Sequence, residues 1–242
     1  MVRCEHFEGF FAEYHDEMAP RRPMPHQIGA TQAPEFASEE LESVQLAGLD
    51  ARFELEDIRV CSASLVKVDA GSGRVERVHL KDVDLGESKL RAVDFVDVIA
   101  ERIDSANGDW GGAQLRRTLF SDARLTGLSF AEARIAEVSF KACKLDYANF
   151  RHSEIERVSF EDCVLTGADF QGASIKATVF SRCQLVETDF SKAAMSLVDL
   201  RGSELRLAGS VLGLRGAIID PLQLMELSRT LAQELGITVE DV

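Results

Sequence analysis

The chain has 242 residues, of which 28% are charged, and 41 acidic against 27 basic side chains leave a formal net charge of −14. That balance excludes a nucleic-acid binder working through a basic footprint, because phosphate contacts need one. No apolar run approaches the roughly 18 residues of a membrane span, the start does not resemble a secretory signal, and none of the five cysteines lies in a CxxC. The expected location is therefore a reducing cytoplasm, with no membrane partner.

Taken in order, Met1–Met18 places Phe7, Phe10, Phe11, Tyr14 and Met18 at helical spacing among acidic residues, which predicts a short amphipathic helix. Its apolar stripe has two available seats, the protein itself or a partner. Cys4, His6 and His15 lack a second cluster at ligand spacing and are read as surface residues, not a metal site. Four of the five prolines (Pro20, Pro23, Pro25, Pro34) then mark a linker, either extended along a face of the protein or disordered. Residues 1–36 form one expected unit.

From Leu41 apolar residues resume out of step (Val44, Leu46, Leu49), which predicts an irregular first coil. From Leu55 to Leu205 a five-residue period holds, and between Leu115 and Leu205 every fifth residue is apolar. Five steps of about 100° do not return to one helix face, and an odd period does not fit a plain strand. The chain must turn a corner in each repeat. Two residues before each large centre stands a small one (Ala123, Ala133, Cys143, Ala148), and the two point the same way as alternate residues of a short strand. The last two residues make the bend, as at Thr126-Gly127, Thr166-Gly167 and Gln171-Gly172.

Corners near 90° would close a square coil every four repeats, so that residues twenty apart stack. The residue types agree. Phe120, Phe140, Phe160 and Phe180 form one column, and Phe130, Phe150, Phe170 and Phe190 the opposite one. Leu125, Leu145, Leu165, Leu185 and Ile135, Ile155, Ile175, Met195 supply the other two. Near Ala100 and Ser105 the lost volume is returned by Val98, Ile103 and Trp110, which predicts an unbroken coil through that region. Thirty-one centres make nearly eight coils.

Ala168-Asp169-Phe170, Ala148-Asn149-Phe150, Thr188-Asp189-Phe190, Val83-Asp84-Leu85 and Val198-Asp199-Leu200 match a motif of a small residue, Asp or Asn, then Leu or Phe. In this the sequence resembles the pentapeptide-repeat family. The resemblance implies an all-β solenoid, a right-handed quadrilateral β-helix, here of about eight coils over residues 37–218, between the short N-terminal helix and a C-terminal capping helix within 219–242. For that last helix Asp220-Pro221 is the start, Gly236 the stop, and Leu224, Leu227, Leu231 and Leu235 one apolar stripe. An end helix covers the core and strand edges of a solenoid, or joins two copies into a homodimer through that end.

No motif in the chain carries chemistry. Cys143, Cys163 and Cys183 stack in one column and read as small core residues, not converging metal ligands. Cys61, His79 and His152 fall at outward positions without a triad around them. No phosphate loop, GxGxxG or HExxH occurs, so neither catalytic nor cofactor-binding nor metal residues are assigned, and no cofactor.

Function is then expected from the outer surface, and the leading reading is a non-enzymatic protein–protein interaction scaffold. The alternative comes from the resemblance: some pentapeptide-repeat proteins mimic duplex DNA with an acidic rod and bind DNA gyrase or a related topoisomerase, inhibiting it or protecting it from drugs or toxins. Residues 115–205 hold 12 basic and 13 acidic side chains, whereas residues 1–114 hold 12 and 23. A mimic wants a continuous negative stripe, so its candidate acidic face is Glu54, Glu56, Asp57, Asp69, Asp82, Asp84 and Asp94 in the N-terminal coils.

Overall fold

The computed structural model describes residues 31–36 and 38–240. The helix expected over Met1–Met18, with Cys4, His6 and His15, lies outside the described residues.

The five-residue repeat coils because its centre and the small residue two before it face inward while the residue between faces outward. The second residue after each centre then has a positive φ at every fifth position from Asp57 to Gly202, Ser72 excepted. Glycine marks only some of these corners. Most are held by other types, such as Asp122 (φ 52°), Glu132 (φ 59°) and Tyr147 (φ 55°). A left-handed conformation costs a non-glycine residue about 1–2 kcal/mol. It is maintained because most corner N–H groups donate to the next coil, as from Asp122 to the Lys141 carbonyl (3.0 Å) and from Tyr147 to the Thr166 carbonyl (2.8 Å).

The strands are β1 (Glu42–Val44), β2 (Arg52–Glu56), β3 (Ile58–Cys61), β4 (Ser72–Lys81), β5 (Val93–Glu101), β6 (Gln114–Ser121), β7 (Arg134–Lys141), β8 (Glu154–Glu156), β9 (Ser159–Glu161), β10 (Ser174–Ser181), β11 (Gln184–Thr188), β12 (Ala194–Asp199), β13 (Glu204–Leu207) and β14 (Ala217–Ile218). They stack in parallel in the order β1-β3-β4-β5-β6-β7-β8-β10-β12-β14, with β2 on β4, β9 between β7 and β10, and β11 on β13. Register advances by twenty through Phe95, Leu115, Ile135, Ile155, Ile175 and Met195, without a break at Ala100 or Ser105. The end coils are shorter: Glu42 pairs with Ile58 and Val198 with Ala217. Those irregular coils raise the total to about nine turns, where the regular centres alone count nearly eight. At about 4.8 Å per coil the stack is about 43 Å long. Two adjoining walls carry the long strands. The other two are columns of single bridges, from Ser64 to Gln184 and from Asp69 to Asp189.

Inside, Phe120, Phe140, Phe160 and Phe180 stack with ring centroids 4.6–4.9 Å apart. The opposite aromatic column meets them edge to face, Phe150 against Phe160 at 6.1 Å and 88°. Offset and edge-to-face pairs add to the burial energy of the rings. Trp110 lies flat on Phe95 (4.8 Å, 10°) and edge-on to Phe130 (5.8 Å, 84°), which fills the space left beside Ala100 and Ser105.

Leu46 and Leu49 pack on the first core layer. At the other end the α-helix α1 (Pro221–Glu234) starts from a capping box, in which the Asp220 carboxylate accepts the Leu222 and Gln223 N–H groups and the Gln223 side chain accepts the Asp220 N–H. Its inward face differs from the leucine stripe read in the sequence. Gln223 is buried and donates to the Leu200 and Ser203 carbonyls at 2.7 and 2.8 Å. Leu227 is buried and Leu231 partly so, while Leu224 and Leu235 are exposed. An amide is needed there because the last complete coil leaves carbonyls with no further coil to meet them.

Candidate protein-binding faces

Each wall presents one outward column, because the residue before every centre points away from the core. On the two bridge walls this residue also builds the corner. The Oδ1 atoms of Asp84, Asp104, Asp109, Asn149, Asp169 and Asp189 accept the N–H of the residue two further on, at 2.7–3.0 Å. The Asp or Asn of the motif therefore holds the turn, by the local side-chain-to-backbone bonding these residues favour.

Many of the remaining charges pair across coils. Arg77 binds Asp57 (2.6 Å) and Glu56 (2.7 Å), Arg102 binds Asp82 (2.7 Å), Lys89 binds Asp69 (3.2 Å), Arg124 binds Asp104 (2.8 Å), Arg157 binds Glu137 (3.0 Å) and Arg182 binds Asp162 (2.7 Å). The arginine hydrogen bonds hold the Asp57, Asp82 and Asp162 carboxyls below the usual carboxylate range, against a small opposing effect of burial. Pairs this exposed add little stability. Their consequence is electrostatic, since a stripe of acids becomes a ladder of alternating sign.

The seven acids singled out in the sequence do not share a face. Glu54 and Asp94 flank Arg74 on the β2–β4–β5 wall. Glu56 and Asp57 sit where that wall turns into the next, and Asp82 at a further corner. Asp84 and Asp69 belong to the two separate bridge columns. Asp57, Asp82 and Asp69 each carry a basic partner from the adjoining coil. Alternation along the chain gives outwardness but not the wall, and the wall is set by position within the twenty-residue coil.

One column is different. Between Arg59 and His79 at one end and Asp199 at the other, its middle members Ile99, Leu119, Ser139, Ser159 and Val179, outward on the strands β5, β6, β7, β9 and β10, carry no charge. This wall is covered in part by the chain's own N-terminal arm. Arg59 donates to the Ser38 carbonyl, the Glu35 N–H meets Asp97 Oδ1 at 3.4 Å, and Thr31–Pro34 line a groove of about 260 Å³ with Thr118, Leu119, Ser139, Lys141, Ser159 and Glu161. The linker thus runs along a solenoid face over its described part. Asp97 is buried and bound by Arg117 at 2.6 Å. Burial works to raise its pKa and is outweighed by the bonds from Arg117 and Glu35, so its carboxyl lies below the usual range. His79 occupies the outward position expected of it and is nonetheless only 8% exposed. Burial lowers its pKa, with Glu101 opposing from 3.4 Å. His152 sits exposed at a corner, with its ring over Gly172.

Cys143, Cys163 and Cys183 are free and buried, and each Sγ lies 3.4–3.6 Å from the phenylalanine carbonyl of the preceding coil. Contact with Cys163, then burial, pushes the Cys143 and Cys183 thiols up. Ser203 continues the column and donates to the Phe180 carbonyl at 3.0 Å in the same manner. Cys61 is partly exposed. No helix among the described residues is long and apolar enough to cross a membrane.

These features define a class, the parallel β-solenoid built on a five-residue repeat with an Asp- or Asn-held corner. Residues 113–190 match the family model of the pentapeptide repeat region, and the chain thus carries such a region. The fold is similar to that of QnrB1, described as a plasmid-mediated fluoroquinolone resistance protein. The full-length QnrB1 structure is 17% identical, with a TM-score of 0.56 over 78% of this chain and 99% of that one. A trypsin-treated form is 18% identical, with a TM-score of 0.53 over 82% and 100%. No curated protein sequence matches the chain.

Proposed function

We propose that the chain is a non-enzymatic scaffold that binds a protein partner through the charged walls of the solenoid. The observation that carries this reading is the ladder of cross-coil ion pairs, exemplified by Arg77–Asp57, Arg102–Asp82 and Arg182–Asp162, on a backbone tied coil to coil. Such a surface is rigid, flat and of mixed sign, suited to a complementary pattern of charges on another protein, where electrostatic matching sets specificity and encounter rate. The neutral wall is partly taken by the arm. Capture from an extract of the source cell, repeated with Arg102→Glu and Arg182→Glu, tests the reading: a partner retained by the parent and lost from the variants supports it. Equal retention by both, or no specific partner, removes it.

A second reading, a DNA mimic directed at gyrase or a related topoisomerase, is favoured by the excess of 23 acidic over 12 basic residues before position 115 and by the likeness in fold to a fluoroquinolone resistance protein. Supercoiling by purified gyrase with the protein titrated in decides it. Absence of both inhibition and drug protection at micromolar protein would exclude that mode of action.

A further inference from the structure

We infer that the C-terminal end of the solenoid is a seat for the chain's own N-terminal segment, with Phe7, Phe10, Phe11, Tyr14 and Met18 entering an apolar wedge between α1 and the last coil. The wedge has a volume of about 220 Å³ and is lined by Val211, Leu214, Ile219, Leu227 and Leu231, with Arg215 at its side. Leu212 lines it as well and is 62% exposed. Isolated exposed leucines are ordinary, but an open recess with a mostly apolar lining is the kind of surface that takes a partner segment.

The direction of the arm identifies the occupant. Ser38 lies beside Arg59, Glu35 beside Asp97, and Thr31–Pro34 beside Leu119, Ser139 and Ser159. Read from residue 38 back to residue 31, the arm passes from the Arg59 coil to the Asp97 coil, two coils on, and then into the groove lined by Leu119, Ser139 and Ser159. A bend at Glu35–Phe36 separates its two parts. The arm thus runs along the column of Ile99, Leu119, Ser139 and Ser159 toward the C-terminal end, where Val179 and then Asp199 follow. Three more coils, about 14 Å, separate the Ser159 row from β14, where Ile218 adjoins Ile219 of the wedge. Residues 19–30 can span up to about 40 Å, which brings residues 7–18 to the wedge with slack.

The inference is independent of the scaffold reading, since it concerns contacts within one chain. A photo-crosslinking phenylalanine placed at Phe10 of the full chain tests it, with mass-spectrometric mapping and light scattering on the same sample. The expected result is a crosslink within one chain to residues 211–231, lost in Leu231→Glu, in a protein of monomer mass. In parallel, deletion of residues 1–30 is expected to raise amide exchange of α1 by roughly tenfold while leaving β6–β10 unchanged, as for loss of a local contact. A crosslink between two chains would make a second copy the occupant and overturn the inference. A crosslink elsewhere, or none, would overturn it equally, and unchanged exchange in α1 would do so without reliance on any variant that might misfold.

Discussion

Phe140 and Phe160 lie face to face, with ring centroids 4.9 Å apart and planes within 3° of parallel. They are successive rungs of one column, so removing either ring opens a void that two coils border. Phe160→Ala should cost about 3–5 kcal/mol, read as a lower urea midpoint with m unchanged. Phe190, stacked on Phe170 alone in its column, should cost less. Equal losses at the two sites would contradict the stacking account.

Asp169 tests the role of the motif's middle residue. Its Oδ1 accepts the Gln171 N–H at 2.8 Å, a bond that Asn149 makes equally well to Arg151 at 3.0 Å. Asp169→Asn should therefore be nearly neutral, while Asp169→Ala should cost about 1 kcal/mol. If the asparagine variant lost as much as the alanine one, charge and not the turn bond would be the reason for aspartate here.

Stability should fall with acidity in two successive windows. The folded protein holds His79 below its ordinary pKa, chiefly by burial, so the unfolded chain takes up that proton first. Stability is full above the unfolded value of about 6.5 and declines as pH drops below it toward the folded value. Asp97 has its pKa lowered by Arg117 and Glu35, so its contribution is present above about 3.9 and is lost as pH falls through the folded value. Urea midpoints from pH 8 to 5 should slope downward with acid, and His79→Gln should flatten that slope. An unaltered slope in the variant would assign it to other groups.

Gly213 has no room for a side chain, since a Cβ there would stand 2.0 Å from the Phe190 carbonyl oxygen. Gly213→Ala must push the final turn off the coil below it, at about 1–3 kcal/mol. Amide exchange should rise in α1 and β14 and stay unchanged in β6 and β7. A uniform change along the solenoid would argue against a local clash.

The buried thiols should be silent in the native state. With 1–2% of their surface exposed, Cys143, Cys163 and Cys183 should react with a thiol reagent only on unfolding, whereas partly exposed Cys61 should react in the folded protein. Peptide mapping after a short labelling pulse distinguishes the sites. Native labelling of Cys163 would mean that the column opens.

The repeat was legible because inwardness in a solenoid is decided locally. Alternation about Phe140 sends Val138 and Phe140 inward and Ser139 outward whatever the rest of the chain does, and the same rule a coil later puts Phe160 above Phe140. The corners were legible in place but not in conformation, since Asp122 and Tyr147 hold left-handed turns by hydrogen bonds to a coil twenty residues away. What only the tertiary structure decided has no period to betray it. That Gln223 and not Leu224 faces the core follows from the carbonyls of Leu200 and Ser203, which its side-chain amide meets. That Arg77 neutralises Asp57, that His79 is buried, and that the arm from Ser38 to Thr31 runs past Arg59 and Asp97 to Leu119 and Ser139 depend on which distant segments meet. Burial along a strand is a property of its own alternation, whereas pairing between side chains is a property of the closed coil.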